Sequence, residues 1–207
     1  MALKTFVKVS SVNNLSDARY CAGMYVSLLG FSLEEYDKNY ISPETYKEIT
    51  GWLSGLEYVA EFETSHPDNI LEKVKAYEGI DHIQISEEAH LRMLANTSYN
   101  LLFKKELNAL GELEHLKAIA PSLAENNITL VLESGNLELA EDAIGLIKEL
   151  SGQCQVLLGF GLEPENLEAI LEKTGAQGLA LKGGDEIKPG YKDFDELADI
   201  LEALEED

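Results

Sequence analysis

The chain has 207 residues, 45% of them apolar and 26% charged, which is enough for a sizeable core and far from a disordered composition. Sixteen basic residues face 38 acidic ones for a formal charge of −22, a balance that argues against nucleic acid and anionic membranes as partners. With only two arginines, Arg19 and Arg92, an anion would have to be held by lysines and backbone amides instead of an arginine clamp.

Cys21 and Cys154 stand far apart and read as reduced thiols of a cytoplasmic protein. His66, His82, His90 and His115 lack the spacing of metal ligands, so neither a metal nor a cofactor is expected. The opening "MALKTFVKV" lacks the charged-then-apolar order of a signal peptide. "YCAGMYVSLLGFSL" is too short and too interrupted to cross a bilayer.

Along the chain, β-type runs alternate with helical ones. The first strand, "TFVKVS", carries a lysine (Lys8) inside an apolar run and ends on the hydroxyl of Ser10. "YVSLLGF" follows, and then "SPETYKEITGWL", a helix start with a serine cap, proline at the first helical position and an early glutamate. "LEYVAEF" is the third strand, and "HPDNILEKVKAY" opens a helix in the same proline-acid manner. "DHIQIS", "NLLFKK", "ITLVLES" and "QVLLGFG" come next, then "EPENLEAILEKTG", a helix closed by glycine, and finally the strand "GLALKG". Eight such units without a linker predict a single (β/α)8 TIM barrel over residues 1–207, in preference to an open doubly wound sheet. In such barrels function collects at the C-terminal strand ends, which here are Ser10, residues 30–31, Glu63, Ser86, Lys104 or Lys105, Glu133, residues 159–161 and residues 182–184.

Several stretches, in order, resemble the phosphoribosylanthranilate isomerase family of tryptophan biosynthesis. "VKVSSVNNLSDA" is similar to that family's first strand and loop, lysine-x-cysteine-glycine-isoleucine-threonine followed by asparagine-leucine-x-aspartate-alanine. "YISPETYKEI", "DHIQIS" with Gln84, "GLEPENLEAI" and above all "GGDEIKPGYKDFDEL" continue the likeness over nearly the whole chain. The resemblance implies an Amadori aldose-to-ketose rearrangement of an aminated ribose phosphate. The family has a cysteine as base at the end of strand one and an aspartate as acid at the end of strand six.

Those two positions hold Ser10 and Glu133. A thiolate is accessible near neutral pH and a serine alkoxide is not, so Ser10 reads as a hydrogen-bonding group and not as a base. Glu133 keeps a carboxylate but displaces it by about a methylene, a shift of ~1 Å that can cost ~100-fold in rate. Alternation puts Lys8 on the inward face below Ser10, where a pair with Glu133 is expected; that pair reads as structural, with a desolvated Lys8 as substitute base the alternative. On the phosphate side, Gly161, Lys182, Gly183, Gly184 and Lys104 are the candidates, with Phe160 standing where the resemblance implies glycine. Ala180 replaces an expected aspartate and Asn39 an expected arginine, and "SGNLELAEDAIGLIKEL" lacks the family's lid-like loop. Three readings stay open. The first is a barrel binding a small anionic or phosphorylated metabolite with the isomerisation lost or altered. The second is a working isomerase with Glu133 as acid, and the third a non-catalytic acidic interaction scaffold.

Overall fold

The computed structural model describes residues 2–183, 186–188, 191–192 and 195–206. In chain order the elements are β1 (Phe6–Ser10), α1 (Leu15–Gly23), β2 (Leu28–Ser32), α2 (Pro43–Thr50), β3 (Glu57–Phe62), α3 (Pro67–Val74), β4 (Ile80–Ile85) and α4 (Leu91–Leu94). They continue with β5 (Asn100–Glu106), α5 (Leu110–Glu125), β6 (Thr129–Glu133), α6 (Glu141–Ser151), β7 (Val156–Leu158), α7 (Leu167–Thr174), β8 (Gly178–Lys182), β9 (Glu186–Lys188), β10 (Tyr191–Lys192) and α8 (Asp195–Ala203). Strands β1 to β8 close a parallel barrel, each pairing with the next and β8 returning to β1 from Phe6↔Gly178 to Ser10↔Lys182.

All eight sequence runs supply their strand, with two shifted limits. β2 starts at Leu28 because Tyr25 sits at φ 58°, a left-handed turn that no strand can contain. β7 is only three residues long, although the Gly159 amide still donates to the Leu132 carbonyl at 2.8 Å. The helix starts were legible: Ser42 caps α2 by accepting from the Thr45 amide at 3.3 Å, with Pro43 next in line. α7 ends on Gly175 at φ 67°. Two features are not among the expected elements. In the eighth loop β9 and β10 pair antiparallel, and seven residues (134–140) separate β6 from α6.

Because side chains alternate along a strand, every second residue points into the barrel. Leu28, Val59, Leu102, Val131, Leu157 and Ala180 form a dry belt across its middle. One step towards the C-terminal ends, the same alternation gives Gly30, Glu61, Lys104, Glu133, Gly159 and Lys182. One step the other way it gives Glu57, Asn100, Thr129 and Gln155. The outward residues, Val7, Val9, Leu29, Phe31 and Ile83 among them, pack under the helices as the larger apolar shell. The sheet therefore separates two polar ends by an apolar plug.

Glu34, just past β2, is buried and accepts from the amides of Glu63, Thr64 and Ser65 at 3.2, 3.1 and 2.9 Å and from the Ser65 hydroxyl at 3.0 Å. It clamps the loop after β3. Burial by itself would raise its pKa, but the four donors outweigh that and hold the carboxyl below its usual range. The stabilisation is thus complete above the ordinary glutamate pKa of about 4.3 and is lost as pH falls through the lower folded value. We expect Glu34→Gln to cost about 1–3 kcal/mol at neutral pH. The gap to the parent protein should close as urea melts are repeated at decreasing pH.

Candidate functional site

The mouth of the barrel is built on Lys8, which is fully buried in β1. Its Nζ donates to Ser10 Oγ and to Glu61 Oε1, each at 2.5 Å. Glu61, on β3, uses its other oxygen to accept from the Ser11 amide at 3.0 Å. This fixes the chain just past β1, where Ser11 takes a φ of 59°. Gly30 on β2 makes the arrangement possible, because a Cβ there would lie 2.1 Å from Glu61 Oε1. Lys8 therefore pairs with Glu61 and not with Glu133, a correction to the sequence reading. Alternation gives the face on which a side chain lies, but strand tilt decides which neighbour it meets.

Glu133, only 3% exposed at the end of β6, has Lys182 Nζ 2.7 Å from its Oε2, an ion pair without hydrogen-bond alignment. Lys104 is the member of its pair that faces the mouth, where it bonds Glu63; Lys105 instead meets Glu112 at 3.3 Å. Burial would lower the pKa of Lys104, but the bond to Glu63 and the charges of Glu63, Glu133 and Glu61 raise it above the ordinary lysine value. Glu63 also accepts from the Ser86 hydroxyl at 2.6 Å. Between these groups and Ser32, Asp37 and Gln84 remains a cavity of ≈ 30 Å³. The buried Gln84 Oε1 borders it and accepts no hydrogen bond among the described residues.

The phosphate candidates divide. Gly161 sits at φ 68° beneath Leu139, whose Cβ would be 2.8 Å from an added Cβ, so backbone conformation and packing both require the glycine. Phe160 is buried in the outer core. The Gly183 amide donates to the Ser10 carbonyl at 3.3 Å and so closes the barrel seam instead of standing free for an anion. Gly184 lies outside the described residues. Lys182, its side chain 60% exposed, borders both the mouth and a second cavity of ≈ 250 Å³ formed with residues 159–162 and with Glu196, Leu197 and Ile200 of α8. Asn39 ties two loops together by accepting from the Asn13 side chain at 3.2 Å.

Sequence reasoning missed Glu61. Two signals pointed to it: a second charge inside an apolar strand run, of opposite sign to Lys8, and a glycine in the middle of the neighbouring strand. Among the described residues no helix is long and apolar enough to cross a membrane. No group of three or more histidine, cysteine or acidic side chains there is placed to hold a metal ion.

The fold and site thus define a (β/α)8 barrel whose C-terminal mouth is lined by paired charges of both signs. No protein-family model matches the chain. It is 24% identical over 196 residues to the N-(5'-phosphoribosyl)anthranilate isomerase of Thermotoga maritima, covering 92% of this chain and 94% of that one. To the isomerase of Aquifex aeolicus it is 25% identical over 201 residues, 94% and 96% of the two chains. Among solved structures, the phosphoribosyl anthranilate isomerase of Thermotoga maritima superposes with a TM-score of 0.78 at 20% identity over 97% of this chain and 98% of that one. That of Thermus thermophilus does so with 0.76 at 24% over 96% and 98%. A third, in complex with reduced 1-(o-carboxyphenylamino)-1-deoxyribulose 5-phosphate, gives 0.77 at 20% over 97% and 98%. Over nearly its whole length the chain is thus similar to phosphoribosylanthranilate isomerases and shares their barrel fold.

Proposed function

We propose that this barrel no longer performs the family's rearrangement and instead holds a small anionic, in particular phosphorylated, metabolite at the rim beside Lys182. The observation that carries the reading is the Lys8 bridge: the residue at the base position accepts a hydrogen bond from an ammonium that Glu61 also holds. A hydroxyl in that setting has no partner able to take its proton, so it cannot remove one from carbon. The acid position is engaged too, since Glu133 is paired with Lys182. The ≈ 30 Å³ left in the mouth suits about one water and not an aminated sugar phosphate.

Lys182 supports the binding half of the proposal. It is the mouth lysine whose side chain reaches furthest into solvent, and it borders the ≈ 250 Å³ cavity. An incoming phosphate would exchange with Glu133 for it, as one charge-assisted contact for another. Ribose 5-phosphate at a hundredfold excess over its Kd should then stabilise the protein by about 2.7 kcal/mol. Lys182→Met should abolish the thermal shift, and Glu133→Gln, which removes the competing carboxylate, should enlarge it. No shift with ribose 5-phosphate or inorganic phosphate would overturn the binding reading. Loss of phosphoribosylanthranilate fluorescence at ordinary enzyme rates would overturn the other half.

A further inference from the structure

The other end of the barrel holds a larger cavity than the mouth. At the N-terminal strand ends, ≈ 470 Å³ is enclosed by Phe6, Leu28, Leu102 and Leu157 on the apolar side and by a ring of polar side chains at the rim. This lies within the roughly 300–1,000 Å³ typical of small-molecule sites, whereas ≈ 30 Å³ at the mouth does not. The floor is the underside of the dry belt: Leu28, Leu102 and Leu157 all belong to it. Phe6 remains 41% exposed, an aromatic ring left partly uncovered inside a concave surface.

The rim has a definite chemistry. His82 Nε2 is 2.6 Å from Glu57 Oε2, and the imidazole side chain is only 12% exposed, so its charge when protonated is matched. Gln155 accepts from the Thr129 hydroxyl at 3.1 Å through its Oε1, and Gln177 accepts from the Val156 amide. The side-chain amides of Asn100 and Asn127 make no hydrogen bond among the described residues, although both border the cavity. Each offers a donor and an acceptor. No lysine or arginine lines the cavity, and the chain as a whole carries −22. An anion finds no partner here, and a strongly hydrated cation finds an apolar floor.

We propose that this cavity is a second ligand site, independent of the mouth, for a small uncharged aromatic compound bearing an amide-type group. The ring would lie against Phe6 and the leucines, and the amide edge would meet Asn100 and Asn127. Burial of the apolar face supplies most of the affinity, and the paired donor and acceptor fix orientation.

Benzamide is a suitable probe, with benzoate as its charged counterpart. Saturation-transfer NMR on the full chain should show benzamide bound in the millimolar range, with the His82 imidazole resonances shifting as it is added. Asn100→Ala should weaken binding about fivefold, the loss of one hydrogen bond. Asn100→Trp, which fills the cavity from its exposed rim, should abolish it while the circular dichroism melt stays cooperative. Should that variant fail to fold, Gln155→Trp makes the same test from the β7 side of the rim. Absence of transfer to benzamide, transfer that persists in the tryptophan variants, unmoved His82 resonances, or equal binding of benzoate would each overturn the proposal.

Discussion

Replacing Glu61 by alanine is expected to lower stability by about 3–5 kcal/mol, the cost of leaving a buried charge without its partner. Lys8 has no route to solvent, and its only other side-chain partner among the described residues is the Ser10 hydroxyl, which cannot neutralise it. The change also removes the acceptor of the Ser11 amide, which holds a residue at φ 59°. Replacing both charges at once, Lys8→Met with Glu61→Leu, should recover most of the loss or exceed the parent, because apolar pairs of similar volume often equal buried ion pairs. The difference between the single and double variants in urea melts measures the coupling. Gly30→Ala supplies an internal check: its Cβ would displace the Glu61 carboxylate, so it should be costly in the parent and nearly free beside Glu61→Ala. A single-variant loss below about 1 kcal/mol would mean that water or a rearranged neighbour already compensates Lys8.

The barrel was legible because its signals are local. Period-two apolar runs, the Ser42–Pro43 helix start and the Gly175 stop each act within a few residues. The site was only half legible because its contacts cross the barrel. "NLLFKK" could not say which lysine faces inward; the register with β4 and β6 puts Lys104 there. Lys8 is legible in its strand, but its partner on β3 is not, since the tilt that brings Glu61 alongside is a property of the closed sheet. The Gly183 amide was expected in a binding loop and is taken up by the seam between β8 and β1. The antiparallel pairing of β9 with β10 was not legible in "GGDEIKPGYKDFDEL", which reads as loop.

The sharpest test of the proposed loss of the rearrangement is to place a sulfur at Ser10. In Ser10→Cys the new thiol would stand beside the Lys8 ammonium, which favours the thiolate and should bring its pKa below the ordinary ~8.5. The buried Cys154, pushed up to about 11 by desolvation, stays out of that window, so thiolate absorbance against pH can be read after subtracting the parent protein. A competent base alone should nevertheless restore no measurable turnover of phosphoribosylanthranilate. A missing base accounts for ~10²–10⁴ in rate, and a carboxylate held ~1 Å from its working position for ~10² more. Glu133 remains paired with Lys182, and the mouth still holds ≈ 30 Å³. The expected pair of results, an ionised thiol and no isomerisation, places the block in the space and pairing of the mouth as well as in its chemistry. If Ser10→Cys alone converts the substrate, the ion pairs open readily, and the single exchange of sulfur for oxygen is the whole of the divergence.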